Sequence, residues 1–505
     1  MYKIGGNTMP NAYEIITDTL LTYQQQVINL AKLGENTDTT IPYNPEFKKA
    51  IEEGDICDLF EGALPYRPRY IAPDYKILME KGSAFLELDP PNDIWEATNA
   101  LMIMYRHVPS VTTFPVYLGA LDELLNPFIT DEKEAEKAIG LFLLNIDRTL
   151  NDSFVHANIG PRDTLAGRLI LRQTEKLQTA IPNLTLKYDP ELTSDEFASL
   201  SASVMLSTAK PSFANHRMFV SEFGERYVIA SCYNGLRLGG GGYTLPRLRL
   251  NNIAKRAVSI DQFMNEILPH YVDLMNEYMD QRINFLVEKS SFFKSNYLVK
   301  EGFLNQKDFI GMFGLVGLAE CCNTLMHVSD SNQGYGHASN VDDLGVTIIQ
   351  HLDNLVAKHK APYSENSGDR YWLHAQVGIE KDGPDSSPGC RIPIGSEPEI
   401  YKQIKHSTRF HKYFPTGIGD IFRFDETWKK TPEALVDIIK GALNSGMRYF
   451  SGYCASNDVI RVTGYLVKKS EIAKLDRKEA VMNDASVLGQ GSRDLAHAFD
   501  RRVQK

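Results

Sequence analysis

The chain has 505 residues, 43% hydrophobic and 23% charged, enough to bury a large core of ordinary globular composition. Its 54 basic and 64 acidic side chains leave a net charge of −10, which disfavours a general nucleic-acid or anionic-membrane surface. Six cysteines are too few for a disulfide scaffold and none forms a Cys-x-x-Cys pair, so reduced thiols and a cytoplasmic chain are expected. The opening residues lack a secretory-signal pattern. The longest apolar run, 309–326, is interrupted by Glu320 and Asn323, so no membrane span is expected.

In chain order, residues 11–33 place Ile16, Leu20, Tyr23, Val27 and Leu30 at helical spacing and predict one helix. The proline-rich stretch 42–91 reads as an irregular cap. Helical patterns follow at 94–105 and 132–150, with loop and strand between them at 108–117. From about residue 95 to 425 strand-like and helix-like runs alternate, which favours an α/β architecture with parallel strands. Residues 226–231 are β-prone and deliver Cys232 into a loop, and Gly239 to Gly242 follow as a flexible or tightly packed turn. Neither a Walker A Lys-Ser/Thr nor a Rossmann glycine pattern is present there. The clearest helix, 261–289, opens with Ser259 and Gln262 spaced as a capping box, and Pro269 predicts a kink or break inside it.

The other candidates are weaker. Cys321 and Cys322 are adjacent and follow a glycine-rich strand. Cys390 sits in Ser387-Pro388-Gly389-Cys390-Arg391, which reads as a structural loop, and Cys57 lies between acidic residues with no visible partner. His406 and His411, among basic residues, read as surface or hydrogen-bonding histidines rather than metal ligands. A lone Cys232 would most often be a buried structural cysteine.

Near the C-terminus, a run rich in β-branched residues from Asp458 ends at Gly464, where backbone freedom and an open Cα are expected. The pentapeptide Arg461-Val462-Thr463-Gly464-Tyr465 resembles the complete Arg-Val-x-Gly-Tyr signature of the glycyl radical enzymes. Four fixed letters occur by chance about once per 160,000 starting points, or about 0.3% for a chain this long. Upstream, the order of cysteine loop, glycine-rich turn and Thr244-Leu245-Pro246-Arg247 strand resembles the core of the anaerobic (class III) ribonucleotide reductases. The segment from Gly311 to Glu320 is similar to one that follows in those enzymes. Size and motif order are most similar to the short YjjI-type glycyl radical proteins.

The resemblance implies an α/β fold: a ten-stranded glycyl radical enzyme barrel with a central cysteine finger loop, surrounded by helices, plus a helical N-terminal region. It divides the chain into a mostly helical or irregular region (1–95), the barrel core (96–425) and a glycyl radical region (426–505). It implies a radical stored on Gly464 that generates a thiyl radical on Cys232, with the Cys321-Cys322 pair as rival, and an unidentified small organic substrate under anaerobic conditions. No cofactor or metal is expected in the chain. The partners implied are a separate activating enzyme carrying an iron–sulfur cluster and S-adenosylmethionine, and a small-molecule substrate; no nucleic acid or membrane is expected, and a homodimer is left open. The chain departs from the reductases in having only Cys454 near the radical loop, where they carry four zinc cysteines, and from the dehydratases in lacking Cys-x-Glu after Cys232. The alternatives are reduction of a nucleotide or sugar derivative, fed by formate or by thiols such as Cys454 or Cys390, and a non-catalytic binding protein that retains the barrel.

Overall fold

The structure, a computed structural model, describes residues 11–35, 41–57, 66–108, 114–150, 152–330, 333–375 and 386–504. From residue 156 the chain repeats a strand–helix unit. Strands His156–Ile159, Asn183–Tyr188 and Ser212–Asn215 lie parallel, joined by helices Leu165–Leu177 and Asp195–Thr208. Thr164 and Ser194 cap the two helices through their hydroxyls, and Gln178 and Ala209 end them in the left-handed conformation. The strands are buried almost throughout, polar residues such as Asn158, Thr185 and Lys187 included.

Tyr449–Cys454 pairs antiparallel with Ser212–Asn215 and parallel with Asp420–Phe424, and Val503–Gln504 completes a six-stranded sheet. A second sheet contains Ile56–Cys57, Arg247–Arg249, Met312–Val316 and Trp372–Ala375, and a third contains Phe309–Ile310, Gly240–Gly242 and Tyr70–Ala72. Tyr243 N–H donates to Ile310 O and Met312 N–H to Thr244 O, which carries the third sheet into the second. Ala375 N–H donates to Gly417 O at 2.9 Å, which links the second sheet to the segment entering the six-stranded one. These sheets surround a cysteine-bearing hairpin, Tyr227–Ala230 with Asn234–Arg237, as expected of the α/β barrel. No helix among the described residues is long and apolar enough to cross a membrane.

Three local expectations need correction. The helix expected over 11–33 is two, Ala12–Thr17 and Tyr23–Glu35. Asp18 accepts from Leu20 N–H, and Thr22 and Gln25 exchange side-chain-to-backbone bonds, so local polar groups end one helix and start the next. The stretch 42–91 is more than a cap: its strands Ile56–Cys57 and Tyr70–Ala72 join the sheets, and its buried Asp55 pairs with Arg256 at 2.6 Å. Gly240–Gly242 is a strand rather than a turn. A Cβ on Gly240 or Gly241 would overlap the carbonyl oxygen of Asp308 or Tyr70, so glycine serves close strand approach there. At Pro269 the expected break is present, since a separate α-helix begins at Leu268 with the proline in its first turn. A wider turn over Phe263–Ile267, with Leu268 N–H bonding Phe263 O, comes just before helix Leu268–Asn284 and absorbs the proline.

Candidate active site

Two hairpins meet tip to tip inside the sheets. Cys232 lies at the tip of the first, between Ala230 and Asn234. Gly464 lies at the tip of the second, formed by Val459–Arg461 and Leu466–Lys468 and closed by Val462 N–H to Tyr465 O at 3.0 Å. A Cβ built on Gly464 would stand 3.0 Å from Cys232 Sγ and 3.3 Å from its Cα, and would overlap its Cβ. The three atoms nearest that position all belong to Cys232. Gly464 is not among the glycines with positive φ, so its need for glycine is steric: the open Cα admits the sulfur, and the backbone freedom expected at this position is not used.

The first hairpin is fastened to the surrounding walls. Asn158 exchanges two side-chain bonds with the Ile229 backbone, 2.8 and 3.0 Å. His156 Nδ1 donates to Ser231 O at 2.8 Å; burial holds this imidazole down at about 3, so it is neutral. Ser231 N–H donates to Val116 O, Gly235 N–H to Thr416 O and Tyr449 OH to Cys232 O. Tyr233 OH donates to Ala375 O at 2.6 Å, so both sheets grip the cysteine tip.

Cys232 is 3% exposed, and its S–H donates to Asn234 Oδ1 at 3.2 Å. Burial pushes the thiol up to about 11, against the Tyr233 backbone N–H and the Arg391 charge, which pull it down. At neutral pH the sulfur therefore keeps its hydrogen. That suits transfer of a hydrogen atom, because a thiolate has none to give.

The second hairpin is held by fewer elements. Asn183 Nδ2 donates to Gly464 O at 3.0 Å, and its Oδ1 accepts from Arg461 Nη2 at 3.0 Å and from Leu184 N–H, so its amide orientation is determined by its neighbours. Arg461 also donates to Ala209 O at 2.9 Å, and burial lowers it to about 10, still protonated at neutral pH. From the C-terminal side, Arg501 donates to Val462 O at 2.6 Å, and Tyr465 OH pairs with Ser492 Oγ at 2.9 Å.

None of the other cysteines is among the atoms nearest Gly464, although Cys390 lies close enough to Tyr233 to act on its hydroxyl. Cys321 and Cys322 are buried on helix Leu318–Leu325, with both thiols pushed up by burial. Cys390 lies in a buried loop whose carbonyl accepts Tyr335 OH at 2.8 Å. Cys454 ends its strand near Glu426 and Ser456, and Cys57 is in the strand that pairs with Arg247. His411 is a buried hydrogen-bonding residue, with Nδ1 accepting from Arg448 N–H and Nε2 2.9 Å from Ser407 Oγ; His406 is also buried, within ion-pair range of Asp342. Neither is at the surface. A cleft of about 800 Å³, lined in part by Asp74, Arg226, Arg237 and Asp308, opens at the base of the cysteine hairpin. The tip is roughly 15 Å further along at strand rise, so this cleft is not where the sulfur is.

Sequence reasoning did not anticipate Asn183, Arg501, His374 or Arg391. Arg391 follows Gly389-Cys390, a stretch already singled out for its cysteine, whereas Asn183 and Arg501 carry no local signal: their partners are 281 and 39 positions away.

The family model "Glycyl radical enzyme YjjI-like" matches residues 21–504. The chain belongs to that family. A Haemophilus influenzae relative is 46% identical over 489 residues, covering 96% of this chain and 95% of the relative. The Escherichia coli K12 protein YjjI is 41% identical over 497 residues, with 97% and 95% covered. Among solved structures, the anaerobic ribonucleotide reductase of Thermotoga maritima, in complex with dATP and CTP, aligns at a TM-score of 0.68 over 85% of this chain and 86% of its own. At 13% identity that likeness concerns the fold. Family and fold agree that this YjjI-like chain is a glycyl radical enzyme, with its reaction class open.

Proposed function

We propose that Gly464 stores the radical of this YjjI-like enzyme and that Cys232 is the residue that receives it and attacks the substrate. The observation that carries the reading is the bare Gly464 Cα facing Cys232, with the direction of a missing side chain ending 3.0 Å from Sγ. A hydrogen atom passes from Cys232 sulfur to the Gly464 Cα radical, leaving a thiyl radical and an ordinary glycine. The thiyl takes a hydrogen atom from a substrate carbon and becomes a thiol again; after the substrate radical has reacted, the thiol returns its hydrogen to the product. Each transfer moves one proton with one electron, so no ionised side chain is needed at the sulfur, in keeping with the raised Cys232 thiol. Burial excludes water and stray hydrogen donors during these steps.

The radical is installed by a separate activating enzyme that carries an iron–sulfur cluster and S-adenosylmethionine, chemistry belonging to that cofactor system. Anaerobic activation is expected to give a glycyl doublet in electron paramagnetic resonance, absent in Gly464→Ala. Cys232→Ala is expected to keep the doublet and lose turnover. An activated wild-type chain without the doublet would sink the radical reading; turnover surviving in Cys232→Ala would sink the cysteine assignment.

A further inference from the structure

Besides Ser231 Oγ and Thr463 Oγ1, three buried side chains around Cys232 each keep one polar atom without a partner among the described residues: Asn234 Nδ2, Arg391 Nη1 and His374 Nε2. None is loosely placed. Asn234 Oδ1 accepts the Cys232 S–H, Arg391 Nε donates to Gly419 O at 2.7 Å, and His374 Nδ1 lies 3.1 Å from Thr416 O. A carbonyl only accepts, so His374 carries its proton on Nδ1 and presents Nε2 as a bare acceptor. All three neighbour Tyr233, the residue after Cys232: Asn234 follows it in the chain, the Arg391 guanidinium is 5.6 Å from its ring centroid, and His374 stacks on it at 5.7 Å. Leaving such atoms unpaired is costly, most of all for a guanidinium, so native structures leave few.

Charge points the same way. Cys232 and Tyr233 each keep 3% of their surface exposed and Arg391 keeps 9%, while Asn234 and His374 are fully buried. The side-chain charges acting on Cys232, from Arg391 and Arg69, are both positive, and Arg69 is also the charge acting on His374. A cationic interior in a chain of net charge −10 is a local feature.

We propose that the site beside Cys232 binds a small hydroxylated organic anion, its carboxylate or phosphate held by Arg391 Nη1 and Asn234 Nδ2 and its hydroxyl donating to His374 Nε2. Calling that anion the substrate rests on the radical reading of Cys232 and Gly464; the binding site does not. Two donors, one of them charged, and one neutral acceptor match an oxyanion and an alcohol on one short skeleton.

The test uses the full-length, unactivated protein with glycerate, glycerol 3-phosphate, glycerol and propionate as probes, read by titration calorimetry. Glycerate or glycerol 3-phosphate is expected to bind at least about tenfold more tightly than glycerol, which lacks the charge, or propionate, which lacks the hydroxyl. The preferred anion tells carboxylate from phosphate. Arg391→Met is expected to weaken that binding about 10- to 100-fold. Asn234→Asp, nearly isosteric and still able to accept the Cys232 S–H, is expected to weaken it similarly and carries the test where Arg391→Met does not fold. Glycerol binding as tightly as the anions, affinity unchanged in folded Arg391→Met or Asn234→Asp, or none of the four probes binding (the site then holding only water) overturns the proposal. The glycyl doublet of the activated wild type separates the two readings: a doublet without anion binding removes this inference alone, and anion binding without a doublet removes the radical reading alone.

Discussion

The cysteine hairpin and the glycine hairpin are of similar size and meet at their tips, but they are held in opposite ways. The cysteine hairpin is bonded to elements spread around the barrel, at Val116, His156, Asn158, Ala375, Thr416 and Tyr449. The glycine hairpin rests on Asn183 and Ala209 from the wall and on Ser492 and Arg501 from the C-terminal segment. That segment is itself held by Arg423, which donates to the carbonyls of Phe499 and Arg501, and by the short edge strand Val503–Gln504. Loosening one terminal segment would free the glycine tip, whereas freeing the cysteine tip would require dismantling the barrel. The difference fits the division of labour in the proposed function, in which one tip would be reached by an activating enzyme and the other would hold a sulfur still beside substrate.

The largest expected effect comes from Gly464→Ala. Its added Cβ overlaps the Cys232 Cβ, so the tips must part, at a cost of about 1–3 kcal/mol for overpacking. Hydrogen exchange should then speed up at 459–468 far more than at 227–237; equal acceleration in both would show that the hairpins are not independently held. Next is Arg501→Ala, which removes two-point support from the Val462 and Arg461 carbonyls. Loss of charge-assisted bonds worth about 1.5–3 kcal/mol should raise exchange at the glycine tip about 10- to 100-fold and leave the cysteine tip unchanged. Faster radical installation by the activating enzyme should accompany it, and slower installation would argue against the strap role.

A smaller effect is expected for Asn183→Leu. The Gly464 carbonyl would lose its donor and Arg461 would keep Ala209 O, so the hairpin should stay in place. A changed glycyl doublet splitting or a lower radical yield is the expected signature, with stability lowered by about 1–3 kcal/mol, the cost of a buried carbonyl left without its donor. The smallest effect concerns pH. The folded Cys232 thiol is raised to about 11, above an ordinary value of about 8.5, so the unfolded chain ionises first. Its contribution to stability is fully present below about pH 8.5 and is lost as pH rises toward 11. Alkylation of native Cys232 by iodoacetamide should stay negligible at pH 8, where exposed thiols react; rapid labelling would contradict both the burial and the raised value.

Much of the barrel was legible because local rules act there. The alternation of strand-like and helix-like runs read from about residue 95 is present as the strand–helix repeat from 156 to 215. The Asp18 to Thr22 break was misread because periodicity outvoted two short polar side chains, and the glycine run 239–242 because glycine signals a turn and a close-packed strand with the same letter. In the candidate site, Cys232 and Gly464 were singled out from motifs, whereas Asn183, Arg501, His374 and Arg391 were not, since each bonds a partner distant in sequence.

By itself the sequence determined the chemistry on offer: an Arg461–Tyr465 signature, a cysteine in a β-bounded loop, and a chain long enough to enclose both. Only the tertiary structure decided which of six cysteines meets Gly464, because a glycine without a side chain carries no mark of what will lie against it. It also decided that the thiol stays protonated and that its neighbours are cationic. Both follow from desolvation and from charges brought together by packing, which no stretch of sequence specifies locally.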